Sequence, residues 1–107
     1  MTNEELDPII HAPARLRIMA TLAAVADGDT LSFARLQSLI GLTAGNLISH
    51  LRKLEETGYI ETEKRGAGAS SLTTVTLTRT GRKALDVYKD ALRELLDAMN
   101  RPHGSIS

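Results

Sequence analysis

Apolar residues recur at three- and four-residue intervals over three early segments and one long final segment, the spacing that keeps side chains on one face of a helix. Asp7-Pro8 is a helix-start pair, an Asp cap before a proline at the first helical position, and Pro13 soon interrupts that turn and begins a longer helix. In it Leu16, Ile18, Met19, Leu22, Ala23 and Val25 keep helical spacing, and Asp27-Gly28-Asp29 ends the run with turn chemistry. Ser32 then caps a second, short helix whose stripe is Phe33, Leu36, Leu39 and Ile40, stopped at once by Gly41. Thr43 caps a third helix running to about Thr57, with Leu47, Ile48, Leu51 and Leu54 expected inside and Gly58 as the stop.

The period then changes. Tyr59 to Arg65 and Ser71 to Leu77 are rich in β-branched residues, and Thr73, Val75 and Leu77 alternate with Thr74 and Thr76, as a half-buried strand requires. Between them lies Gly66-Ala67-Gly68-Ala69-Ser70, which predicts a hairpin with a loose tip. Thr78 caps a last helix over about residues 79–100, and residues 101–107 are expected to fray. The fold class is therefore mainly α with a small β-hairpin (α+β), in the order helix, helix, helix, hairpin, helix, without an internal repeat. The 107 residues make one domain.

Two short helices joined by a tight glycine-containing turn match a helix-turn-helix, over about residues 32–57, and a hairpin directly after it, about 59–77, makes the winged variant. With the apolar stripe of the third helix turned inward, Gly45, Asn46, Ser49, Arg52, Lys53 and Glu56 point away and His50 sits at the margin. Its first turns carry small polar residues that admit a close approach to a major groove. There the Asn46 amide suits the edge of adenine, while Arg52 and Lys53 suit phosphate or guanine. Lys64 and Arg65, at the base of the flexible hairpin tip, supply cations for a backbone or minor-groove contact. A solvated helix face and an ordinary mobile hairpin fit the same residues. The Gly66-x-Gly68 pair is no dinucleotide loop, since a strand follows where that motif needs a helix N-terminus.

The stretch from Leu42 to Ile60, LTAGNLISHLRKLEETGYI, resembles the recognition helix and wing start of MarR/ArsR-like regulators. Leu77 to Arg82, LTRTGR, resembles the strand end and helix start after the wing, and Ile10 to Arg17, IHAPARLR, the opening helix of the group's small winged helix DNA-binding branch. The resemblance covers about residues 8 to 96. It implies DNA-binding transcriptional control and dimerisation through the first and last helices. With the helix face and wing cations read above, Thr43, Gly45, Asn46, Ser49, His50, Arg52, Lys53, Lys64 and Arg65 are the expected DNA-binding set.

The last helix adds a seam of its own. Leu85, Tyr88, Leu92, Leu95 and Met99 are spaced as in paired helices, and Ala84, Val87, Ala91 and Leu96 form a second apolar strip. One strip can pack on the domain and the surplus argues for a second copy of the chain, so these five residues are the expected homodimer contacts. Folding back over its own domain is the alternative for this helix.

Net charge is zero, against the basic surface that phosphate binding needs, but its distribution is uneven. From Thr43 to Lys83 seven basic residues face four acidic ones, a local excess of three. Arg79, Arg82 and Lys83 lie where a helix N-terminus disfavours cations, so either phosphate or water must compensate them. Without a cysteine, disulfides and thiolate metal sites are excluded, and His11, His50 and His103 have no ligand partner at helical spacing; no metal or other cofactor is expected. Ser49 and His50 are adjacent helix positions that point about 100° apart, so they are no nucleophile and base, and the chain is not expected to be an enzyme. No signal peptide or membrane segment is expected, and the compartment is the cytoplasm. Double-stranded DNA is the expected partner. A winged-helix module that binds another protein is the alternative, favoured by the zero net charge, and an unknown small-molecule effector at the dimer seam can coexist with DNA binding.

Overall fold

The computed structural model of the chain describes residues 6–26, 29–68 and 72–101. The turns expected at Asp27-Gly28 and Ala69-Ser70, the strand start at Ser71 and the tail from Pro102 lie outside the described residues. Element order is α1 (Pro13–Ala23), β1 (Leu31–Ser32), α2 (Phe33–Ile40), α3 (Ala44–Glu56), β2 (Ile60–Arg65), β3 (Leu72–Leu77) and α4 (Arg79–Asn100). No described helix is long and apolar enough to cross a membrane.

Short-range chemistry sets the boundaries. The Ser32, Thr43 and Thr78 hydroxyls each accept from a backbone N–H three residues on, the amides of Arg35, Asn46 and Gly81, and so start α2, α3 and α4. Gly41 ends α2 in the left-handed region at φ 82°, a conformation that a residue with a Cβ adopts only under strain. Before α1, Asp7 closes the expected single turn, its carboxylate accepting from the Ile9 amide and its carbonyl from the His11 amide.

The sheet differs from expectation by a strand. Leu31 and Ser32 pair antiparallel with Val75 and Thr74, giving the order β1-β3-β2 rather than a bare hairpin. β2 and β3 pair from Ile60↔Leu77 to Arg65↔Leu72. The core joins Ile18, Met19 and Leu22 of α1, Leu36 and Ile40 of α2, and Leu47, Leu51 and Leu54 of α3 to Ile60, Val75 and Leu77 of the sheet. Two residues expected in it are not there. Leu39 is 46% exposed and Ile48 45%, because each lies at the edge of its helix's apolar arc, where 100° steps carry a side chain past the packed face.

α4 carries one apolar stripe with two fates. Its first half, with Leu85, Tyr88 and Ala91 buried, closes on the chain's own core. Here the expected seam is corrected: Leu85 and Tyr88 are intrachain core residues, and the Tyr88 hydroxyl is 2.9 Å from His11 Nδ1 in the turn before α1. Beyond Ala91 the helix outruns the domain. Leu92 is half-buried, while Leu95, Leu96 and Met99 are exposed, as is Val87 on another side. The molecule measures 66 × 25 × 22 Å, with a radius of gyration of 16.9 Å against about 13 Å for a compact chain of this length.

Candidate nucleic-acid interface

α3 is held rigidly from below. Leu47, Leu51 and Leu54 anchor it in the core, and at its far end Glu55 accepts a 2.8 Å hydrogen bond from the Thr62 hydroxyl, tying the helix to the base of the wing. At its other end the Thr43 side chain is engaged as the cap, leaving an exposed helix N-terminus whose dipole favours anions. Gly45, Asn46, Ser49, Arg52 and Lys53 are all exposed on the side away from the core, as expected. A Cβ on Gly45 would meet nothing within 4 Å, so this stretch presents backbone as well as side chains to any approaching surface.

His50 is placed differently from its neighbours. It is half-buried toward α1, its Nδ1 3.4 Å from the Arg15 guanidinium, and the same guanidinium donates to the Ile9 carbonyl at 2.6 Å. His50 thus links the helix to the turn before α1.

Pleating divides the two wing cations. Lys64 is paired with Thr73, and Thr62 and Thr73 share a concavity of about 190 Å³ with Ile48 and Arg52, so Lys64 stands on the sheet face that looks toward α3. Arg65 stands on the opposite face, where it forms a 3.2 Å ion pair with Glu63. Gly66 and Gly68 at the tip both have positive φ, a left-handed conformation that favours glycine. At the start of α4, Arg79 and Lys83 are exposed, whereas Arg82 reaches back to the Ala23 carbonyl at the end of α1. The acidic residues of α4 form a solvated face, with Asp86 and Asp90 3.8 and 3.7 Å from Lys89 and Arg93.

Wing and helices meet at Tyr59. Its carbonyl accepts from the Thr78 amide, and its hydroxyl donates to the Asp7 carboxylate. Burial, then the bond to Asp7 and that carboxylate's charge, push the phenol up to about 12. Gly81 packs so closely under this corner that a Cβ would stand 2.1 Å from the Tyr59 carbonyl oxygen. Sequence spacing missed Ile48 on the outer face. The signal was its position a quarter-turn from the centre of the leucine stripe.

A short helix, a left-handed glycine turn, a second helix with an exposed polar face and a three-stranded wing define a winged helix-turn-helix. The chain belongs to the winged helix DNA-binding domain family, whose model matches residues 14–96. It is 34% identical over 88 residues to an uncharacterized protein of Methanocaldococcus jannaschii, covering 82% of this chain and 89% of that one. The solved structure of a transcriptional regulator homologue from Pyrococcus horikoshii OT3 is 31% identical, with a TM-score of 0.78 over 87% of this chain and 89% of the other. A MepR–DNA complex from S. aureus shares the fold at 17% identity, with a TM-score of 0.69 over 88% of this chain and 74% of its own. MarR and an ArsR family regulator are further structural neighbours. Family and fold are those of transcriptional regulators and not of enzymes.

Proposed function

We propose that this chain is a cytoplasmic, sequence-specific regulator of transcription that binds double-stranded DNA as a homodimer. α3 enters the major groove, with Asn46 and Ser49 toward base edges and Arg52 and Lys53 toward phosphate or guanine. The wing lies on the adjacent backbone or minor groove, with Lys64 making the closer contact and Arg65 following when it leaves Glu63. The observation that carries the reading is the outer face of α3: rigidly seated, open at Gly45, and flanked by Lys64 on the same side of the sheet. The uncovered end of the α4 stripe, Leu95, Leu96 and Met99, with the half-buried Leu92 beside it, supports pairing of two copies, which would set two α3 helices on successive half-sites.

Asn46→Ala tests the assignment of base reading to α3. Against DNA selected from a random pool, it should lose discrimination at one position per half-site, at a cost of about 1 to 3 kcal/mol if the amide meets a base edge. An equal loss on selected and random duplexes would place Asn46 on the backbone and leave base reading to its neighbours.

A further inference from the structure

Ile48 stands out on the face that the proposed function turns toward DNA. It is a large β-branched residue, 45% exposed, on a helix whose other aliphatic side chains of similar size, Leu47, Leu51 and Leu54, are buried. The core does not use it, since those three leucines already complete the packed stripe. One turn before it is Ala44 and one turn after it is Arg52, both exposed, so Ala44, Ile48 and Arg52 form a single row along the helix. The row begins at the cap and runs beside a crease in which Ile48 and Arg52 meet Phe33, Leu51, Glu55, Thr62 and Thr73, with the Glu55 carboxylate already engaged by the Thr62 hydroxyl. A partner surface that fits it must present an apolar group within a polar, anionic setting.

In the major groove the C5-methyl of thymine is the apolar group on display, and contact with it distinguishes T·A from the other pairs. We infer that Ile48 is a specificity-determining residue that packs on a thymine methyl in each half-site. The inference rests on the reading of α3 as the DNA-facing helix. It adds an apolar contact to a set otherwise made of hydrogen bonds and charges. Arg52, one turn further on, holds the flanking phosphate or guanine and fixes the register in which the methyl meets the side chain. Ala44, one turn earlier, leaves room for the neighbouring base pair.

The test replaces thymine by deoxyuridine, which removes the methyl and nothing else. A duplex is selected from a random pool by the full chain, each thymine is exchanged in turn, and Kd is measured by fluorescence anisotropy at fixed salt. Wild type should lose about fourfold at one thymine per half-site, equivalent to roughly 0.8 kcal/mol, the transfer value of one buried CH2-sized group. Ile48→Ala should bind thymine and uracil equally there while other positions keep their wild-type ratios. If that variant loses its helical circular dichroism, Ile48→Thr, which keeps the β-branch and replaces the ethyl group by a hydroxyl, is read by the same ratio and should show a reduced preference for thymine. A specific duplex with no methyl-sensitive thymine, or a thymine preference unchanged in the variant that folds, overturns the role of Ile48 and leaves DNA binding standing. Failure to select any duplex overturns the DNA reading, and the inference with it.

Discussion

Gly81→Ala puts a methyl group where the fold has no room. The added Cβ would lie 2.1 Å from the Tyr59 carbonyl oxygen and 2.9 Å from Leu77 Cδ1, and contacts under 3.0 Å force a displacement. Backbone cannot rotate aside as a flexible side chain does, so the first turn of α4 must move off Tyr59, just before β2, by roughly 1 Å in a close-packed corner. Overpacking of this kind costs about 1 to 3 kcal/mol. The bond from the Thr78 amide to the same Tyr59 carbonyl, 3.0 Å long, is strained or broken, at about 1 kcal/mol. Alanine's better helix propensity returns somewhat under 1 kcal/mol. The net expectation is a loss of about 2 to 3 kcal/mol, read as a lower urea midpoint by circular dichroism and a fall in Tm of at least about 10 °C for a domain of this size. Gly45→Ala is the matched control. Its Cβ meets open space, so stability should hold or rise by up to about 1 kcal/mol, while DNA affinity falls because the methyl intrudes on the groove-facing surface. Equal stability of Gly81→Ala and wild type would refute the packing argument.

Lys53→Ala and Lys64→Ala should each weaken binding to every duplex and shallow the slope of log K against log salt by about 0.9 for each phosphate no longer neutralised. Arg65→Ala should do less, because Arg65 is already paired with Glu63 on the other sheet face; a larger effect than Lys64→Ala would reverse that assignment. Leu96→Glu, at a position 48% exposed, should leave the domain folded by circular dichroism but give a monomer in sedimentation, since two like charges would meet at the seam. Leu85→Glu should unfold the chain itself, and a folded product would show that Leu85 is dispensable to the core. The Tyr59 phenol, pushed up to about 12 from the usual 10, is stabilised in its protonated form by folding. Its contribution is therefore complete below pH about 10 and disappears as pH rises toward 12. Tyr59→Phe should cost about 1 kcal/mol at neutral pH and flatten the alkaline part of the stability curve.

Element order and caps were readable because they rest on local chemistry: Ser32, Thr43 and Thr78 each start a helix by a bond to an amide three residues away. β1 was not readable, because two residues show no alternation and Leu31 pairs with Val75, far away in the chain. Ile48 and Leu39 lie on the apolar arc yet are exposed, since periodicity gives the direction of an arc but not its width, which the neighbouring elements decide. The α4 heptads had the right direction too. The heptads do not carry the point at which the chain's own core ends, which depends on how far α1 and the sheet reach along the helix, so the spacing alone does not separate Leu85 and Tyr88, which their own domain covers, from the exposed Leu95 and Met99. The division of Lys64 from Arg65 follows from strand pleating, visible only once the register with β3 is known.

The central claim is that the α3 face reads double-stranded DNA. The most direct measurement is the affinity of the full chain for its selected duplex and for a scrambled duplex of equal composition, by anisotropy across a range of salt. Binding to the selected duplex should be at least about a thousandfold tighter, with both affinities falling linearly in log salt. Equal and salt-independent affinities for the two duplexes would contradict it.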